Sequence, residues 1–406
     1  MKRTSALRPS ASTAERGVPF ALADGDRAET LYSGIDGQKF RYEGQEYDLA
    51  LIGPHQIRNA VTVLEAVKVL RERGWDIPES AVREGLRTVR WAARLELLGR
   101  EPLFLLDGGH NPQCASALAD SLRSLLPGEK VVFLTGVLAD KDYSAIFDIL
   151  QPFAEKFICL TPLSPRALPA EELAAFLRER GALAETAESI PAGIAQTLRE
   201  AEARGETALG FGSLYLAGAL RTEFPAVMKK HLRQKALQRR AALSEAEREA
   251  YSEKIVGKIR ALPEFQNAKT VLLYRAIKNE VSLDALAKEP GKRFLYPHCE
   301  PDGSMTALCP KGEAWRIGAH GIEEPADAET VPPEEIDLVI VPCVGFDENG
   351  NRLGWGGGCY DRFLKRCTRA AVIAAAFSCQ RLEMIPAETN DVPMDAVITE
   401  NGIFDP

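Results

Sequence analysis

Four apolar stretches decide the first half of the chain: LFLLD at 103–107, VVFLTG at 131–136, FICL at 157–160 and TALGF at 207–211. Each is short, and the segments near 113–125, 142–151, 170–180, 191–203 and 213–223 carry apolar residues at helical spacing. Strands alternating with helices of that length predict right-handed crossovers and a mostly parallel, doubly wound sheet. Ligands of such sheets collect at the carboxyl ends of strands. Two motifs stand there: Asp107-Gly108-Gly109-His110-Asn111-Pro112 after the first strand and Gly210-Phe211-Gly212-Ser213 after the last.

Upstream, YSGIDGQKFRYEGQEYDLAL at 32–51 predicts a hairpin around Gly44. Residues 56–73 predict one helix, with Val63, Leu64, Val67 and Leu70 on its apolar stripe and Gly74 as its stop. Downstream, the composition breaks at Phe224-Pro225. A basic helix is expected from Met228 to about Ala242, and Ser244 with Glu247 makes a capping-box spacing that opens a second helix to about Leu262. Strands are expected at TVLLY, RFLYP, DLVIVP, AVIAAAF and DAVITE, separated by loops rich in Gly and Pro. The chain therefore reads as α/β, with two successive three-layer α/β units. The expected divisions are residues 1–90 (with the one helix), 91–225 and 226–406.

Length and composition agree. The 406 residues are 45% apolar and 27% charged, enough for two or three domains with substantial cores. A formal net charge of −8 gives no general pull toward nucleic acid or acidic membranes. The longest apolar runs, such as 338–341, are far short of the roughly 20 residues that span a bilayer. The opening MKRTSALRPSASTAERG is basic but has no apolar h-region. A cytoplasmic protein without membrane or nucleic-acid partners is the expectation. The eight cysteines form no CxxC pair, and His298-Cys299 alone supplies too few ligands for zinc, so reduced and mostly buried thiols are expected.

The sharpest chemical signal is GFDENGNRLGWGGGCYDR at 345–362, where four glycines fall in five positions, 354–358. Glycines so placed allow backbone N–H groups to converge on phosphate oxygens beside a helix N-terminus, although the same pattern serves a tight turn. No GK[ST] occurs, so this is not a Walker A loop. Lys229, Lys230 and Arg233 lie about one helical turn apart and can act as phosphate clamps or form a solvated basic face. Glu280 reads as a helix-start carboxylate or a ligand for a substrate N–H, and Asp361 and Asp395 as caps or an oxygen-rich magnesium site completed by phosphates.

Residues 228–406 resemble 5-formyltetrahydrofolate cyclo-ligase. The resemblance is carried by KKHLR at 229–233, Asn279-Glu280 before VSL, the segment from Tyr296-Pro297 to MTAL, GIEEP at 321–325, VPCVGFDENGNRLGWGGGCYDRFL at 341–364 and NDVPMDAVITE at 390–400. It implies a cyclo-ligase-like α/β domain and an ATP- and magnesium-dependent closure of 5-formyltetrahydrofolate to 5,10-methenyltetrahydrofolate, with release of ADP and phosphate. The formyl oxygen would attack the γ-phosphate, N10 would attack the activated carbon, and fixed cations and backbone donors would carry most of the catalysis. By position, Lys229, Lys230, His231, Leu232 and Arg233, with Arg352, Leu353, Gly354, Trp355, Gly356, Gly357, Gly358, Cys359 and Tyr360, would line the ATP site. Arg233 and Arg352 would be catalytic, Arg275 and Glu280 would face the folate, and Asp361 and Asp395 would hold magnesium. Cys359 stands where the family usually has the first of two tyrosines, a lost ring that would weaken packing on the pterin or nucleotide.

Residues 40–224 resemble the C-terminal part of folylpolyglutamate synthase, through GPHQIRNA at 53–60, Trp91-x-x-Arg94-Leu95-Glu96, LLDGGHNP, GVLADKD at 136–142 and GSLYLAGALR at 212–221. The resemblance implies that Arg94 and Asp107 approach ATP and that His110 and Ser213 lie toward glutamate. Ala93 stands where the family usually has glycine. That family carries an N-terminal ATPase domain with a P-loop of the TGTNGKGS type, which has no counterpart in this sequence. The expectation is a vestigial ligase site awaiting a missing domain or a second chain, with 1–90 a remnant of the ligase's central domain. The leading reading is thus a cyclo-ligase acting on a small folate. A bifunctional enzyme that also adds glutamate and a non-catalytic folate-binding module are the alternatives.

Overall fold

The structure, a computed structural model, describes residues 22–300, 302–318 and 321–406. The basic N-terminal stretch lies outside them. The chain divides into two compact units, one of residues 1–97 with 104–220 and one of residues 98–103 with 221–406. No helix among the described residues is long and apolar enough to cross a membrane.

The first unit opens with three antiparallel strands, β1 (Glu29–Gly34), β2 (Gly37–Tyr42) and β3 (Gln45–Leu49). Glu43 and Gly44 join the last two with φ of 49° and 79°, the paired left-handed conformation of a tight hairpin turn. The helix Pro54–Glu72 follows, but its buried face is Ile57, Ala60, Val61 and Leu64, while Val63 and Leu70 are exposed. Of the expected stripe Leu64 and Val67 pack against this core and Val63 and Leu70 do not, since Val and Leu occur on both faces. A second helix, Glu79–Thr88, was not expected; only Val82 and Leu86 are buried on it, too weak a period to read.

The unit's main sheet runs β4-β5-β9-β6-β7-β8, with β4 Glu96–Arg100, β5 Leu103–Asp107, β6 Val131–Thr135, β7 Ala154–Cys159, β8 Ala184–Thr186 and β9 Thr207–Phe211. β5, β9, β6, β7 and β8 are joined by parallel ladders. The helices Pro112–Leu125, Tyr143–Leu150, Ala170–Glu179 and Ile190–Arg204 connect them, close to the expected spans. β5 and β9 pair Leu106 with Gly210 and Asp107 with Phe211, so the two expected motif loops leave the sheet side by side.

The helix after β9 runs unbroken from Leu214 to Ala241, with Pro225 inside it. The break expected at Phe224-Pro225 is therefore a helix interior. Phe224, Met228, Leu232, Ala236 and Arg240 are each at most 1% exposed and recur every four residues, a buried ridge that outweighs the N–H lost at proline. The helix Glu245–Ala261 starts on the predicted capping box, with Ser244 and Glu247 each accepting from the other's backbone.

The second unit's sheet has eight strands in the order β15-β12-β11-β10-β16-β19-β20-β21. Parallel ladders join β11 (Arg293–Cys299), β10 (Thr270–Leu272), β16 (Leu338–Pro342), β19 (Ala371–Ala375) and β20 (Ala396–Ile398). β12 (Met305–Pro310), β15 (Ala328–Val331) and β21 (Ile403–Phe404) pair antiparallel at the margins. Two small hairpins stand apart from it: β13 (Trp315–Ile317) with β14 (Glu323–Pro325), and β17 (Gly345–Phe346) with β18 (Arg352–Leu353). Of the eight cysteines, all of them free thiols, Cys159, Cys343 and Cys367 are buried and five are partly exposed, fewer buried than expected.

Candidate functional site

The glycine-rich segment leaves the carboxyl end of β16 and is shaped by a buried aspartate. The carboxylate of Asp347, 1% exposed, accepts from the backbone of Asn349, Asn351 and Ile385 and from the Asn351 side chain at 2.8–3.0 Å. That turn delivers Arg352, whose Nη1 donates to Asp361 Oδ1 at 2.9 Å and whose Nε is buried without a protein partner. Gly356 and Gly358 take φ of 105° and 66°, which favours glycine at both. Beneath them Arg233 donates from Nε to the Gly354 carbonyl at 2.7 Å, and its guanidinium lies about 3.9 Å from where a side chain on Gly356 would begin. Among the described residues neither Nη group of Arg233 has a protein partner. The following helix, Cys359–Leu364, has six residues, under two turns, so the expected contribution of a helix N-terminus falls away.

On the opposite side of the loop, Trp355 Nε1 donates to Glu280 Oε1 at 2.9 Å, and Ile277 N donates to Glu280 Oε2 at 3.0 Å. Burial raises the Glu280 carboxyl; those two hydrogen bonds and the charges of Arg240 and Lys278 oppose it. The Tyr360 hydroxyl is buried without a partner, and burial holds its proton on. Cys359 lies beside Cys299, and burial with that neighbour pushes the Cys299 thiol up to about 12.

Several expected site residues have other duties. Leu232 and Leu353 are core side chains, 0% and 1% exposed, because each falls on the buried side of its element. Lys230 is exposed, 100° around the helix from Lys229. Lys229 is satisfied by Glu388 and Asp391, each at 2.6 Å. His231, next along that helix, is half-buried. Arg275 is held by Asp284 at 2.6 Å and Glu323 at 2.7 Å, and stacks over Trp315, so it pins the β13-β14 hairpin. The magnesium pair does not assemble: Asp361 is engaged by Arg352 and the Val392 N–H, whereas Asp395 clasps Val372 in both directions at the amino edge of the sheet. No group of three His, Cys, Asp or Glu suited to a metal ion occurs among the described residues.

Arg240 was missed, as was Asp347. A charged residue in four-residue register with Phe224, Met228, Leu232 and Ala236 was the available signal.

In the first unit Asp107, at the end of β5, accepts from Gly109 N at 2.8 Å and Leu95 N at 3.1 Å. Burial raises its carboxyl. Arg94 donates to the Ala93 carbonyl, His110 Nδ1 lies 3.2 Å from the Gly108 carbonyl, and Ser213 accepts from Leu216 N to cap its helix. Ala93 takes φ of +54°, a conformation that glycine adopts without strain. His55, not singled out in the sequence, lies near Asp107 and Arg94, and burial lowers its pKa.

Residues 225–400 match the 5-formyltetrahydrofolate cyclo-ligase family and residues 93–214 the Mur ligase, glutamate ligase domain. The mouse 5-formyltetrahydrofolate cyclo-ligase is 31% identical over 193 residues, covering 43% of this chain and 94% of that protein. The chain belongs to the 5-formyltetrahydrofolate cyclo-ligase family. An Aquifex aeolicus 5,10-methenyltetrahydrofolate synthetase, solved by NMR, is 39% identical over 44% of this chain and 92% of its own, with a TM-score of 0.41. The Lacticaseibacillus casei folylpolyglutamate synthase is 32% identical over 192 residues, covering 46% of this chain. The chain spans 43% of the length of that synthase. The cyclo-ligase portion is thus joined to a portion similar to folylpolyglutamate synthase, as the motifs led one to expect.

Proposed function

We propose that the second unit closes 5-formyltetrahydrofolate to 5,10-methenyltetrahydrofolate with consumption of ATP and release of ADP and phosphate. The observation that carries this is Arg233: a half-buried guanidinium fixed by Gly354, with neither Nη group partnered among the described residues, against a glycine-rich loop. The buried Nε of Arg352 and hydroxyl of Tyr360, without partners among the described residues, add polar atoms that a ligand would satisfy. Arg233, the Gly354–Gly358 backbone and Arg352 would hold the nucleotide phosphates, and ATP supplies the phosphoryl group that turns the formyl oxygen into a leaving group. Glu280 accepts a hydrogen bond and orients the folate's ring N–H groups, while Trp355 anchors the loop to it. A divalent cation belongs to this reading through the phosphates of the nucleotide. No step rests on an Asp361/Asp395 site, and Leu232 and Leu353 contribute packing only.

The test is the absorbance of methenyltetrahydrofolate formed from 5-formyltetrahydrofolate with ATP and magnesium, using the whole chain and Arg233→Met in parallel. Product from the parent chain and little from the variant is expected; no product from the folded parent overturns the proposal. For the first unit we propose that this chain alone does not add glutamate. Glutamate-dependent ADP formation with tetrahydrofolate would reverse that.

A further inference from the structure

Arg240 is among the largest fully buried side chains of the protein, 1% exposed at the end of an apolar ridge. A guanidinium removed from water is retained only where nearby groups compensate its charge. Here Nη2 donates to the Lys278 carbonyl at 2.9 Å, and Nη1 is buried without a partner. The guanidinium carbon lies 5.5 Å from the Trp355 ring centre, and Lys278 Nζ lies 4.7 Å from the same centre. Two cations therefore lie against the indole that donates to Glu280. The carbonyl that Arg240 grips belongs to an unusual turn: Lys278 and Asn279, neither of them glycine, take φ of 48° and 66° immediately before Glu280. Such a turn persists only when its surroundings over-determine it, and Arg240 supplies one of those bonds.

We propose that Arg240 is a positioning residue of this site, the buried counter-charge that holds the Glu280 carboxylate ionised, its turn in place and the Trp355 indole against it. The inference rests on the reading of Glu280 as a folate-facing group. The charged groups facing Glu280 are Arg240 from the long helix and Lys278 from its own turn. Tyr274, Cys343 and Tyr360 also surround it, each with its pKa raised by burial and so neutral. With burial pushing Glu280 toward protonation, Arg240 is the interior cation that opposes it.

The chain has four tryptophans, so replacing Trp75, Trp91 and Trp315 with Phe leaves Trp355 as the sole indole reporter. Its emission is followed across pH, without substrate, in that background and in Arg240→Gln, Arg240→Lys and Glu280→Gln. Glu280→Gln is expected to abolish the transition. Arg240→Gln is expected to move its midpoint upward by about one pH unit, a tenfold change in proton affinity, and Arg240→Lys by clearly less. The acid limb of kcat in the formyltetrahydrofolate assay moves with it, while KM for ATP changes little. An unchanged midpoint in Arg240→Gln, or equal shifts in the Gln and Lys variants, overturns the proposal. Should Arg240→Gln not fold, the double variant with Glu280→Gln is expected to recover the fold by removing both charges; failure to recover it also overturns the proposal. Absence of methenyl product with the titration intact would instead overturn the cyclo-ligase reading alone.

Discussion

Arg233 and Arg352 illustrate how much two arginines of similar appearance can differ. Arg352 is already paired with Asp361, whereas Arg233 keeps two donors unspent. A charge-assisted hydrogen bond contributes about 1.5–3 kcal/mol. Arg233→Met is therefore expected to lower turnover by about 10- to 100-fold, with little change in the thermal midpoint because the side chain is half exposed. Asp361→Asn leaves Arg352 buried beside a neutral amide, and is expected to reduce both stability and product formation; parallel melts and absorbance assays check it. Arg233 and the glycines that the structure brings together each stand in a short motif readable from its neighbours, whereas Lys229 and Lys230 of the same basic motif are spent on carboxylates or exposed. Arg240 was not legible in the same way: a basic residue among Arg239, Arg240 and Lys235 looks like a solvated face until the four-residue register with Phe224 and Met228 is seen to be buried.

Individual elements show which physical term prevailed where the reading and the structure part. Proline at 225 argues for a helix end, and the ridge from Phe224 to Arg240 carries the helix through it. The capping box at Ser244 was legible because it depends on two residues three apart and nothing distant. Ser244→Ala should cost about 1 kcal/mol, read from the urea midpoint. The β13-β14 hairpin was not legible, since three-residue strands carry no period; long-range ionic contacts hold it. His298, at the end of β11, bonds Glu324 at 2.7 Å and Glu300 at 2.9 Å, and these carboxylates raise its pKa against the effect of burial. A histidine whose folded pKa is raised lends stability below its unfolded value of about 6.5. That stability fades as pH rises through the folded value. The parent chain is thus expected to lose stability relative to His298→Gln as pH rises from about 6.5 through the raised folded value, measured as the difference in their denaturation midpoints at each pH.

At the scale of the whole molecule, alternation of strands and helices over more than a hundred residues revealed the first sheet, and continuous apolar runs revealed the parallel centre of the second. The edge strands β15 and β21 escaped because one carries Glu and Thr among four residues and the other has only two residues, too few for a period. The two units have their own cores, one including Phe40, Val61 and Leu64, another Val271, Ile340 and Ile398. Heat is therefore expected to unfold the chain in more than one step. A non-hydrolysable ATP analogue should raise only the step that belongs to the second unit; scanning calorimetry with and without the analogue checks it.

The order of strands in the first sheet has a consequence for biosynthesis. β9, the last strand of that sheet to be translated, lies between β5 and β6, the second and third. A ribosome that has released residues 96–186 has produced five of the six strands but not the one that joins them. Until Phe211 emerges, β5 and β6 each present an unpaired edge to solvent or to neighbouring chains. A pause in synthesis before Phe211 has emerged would prolong that exposure, and a pause after it has emerged would not.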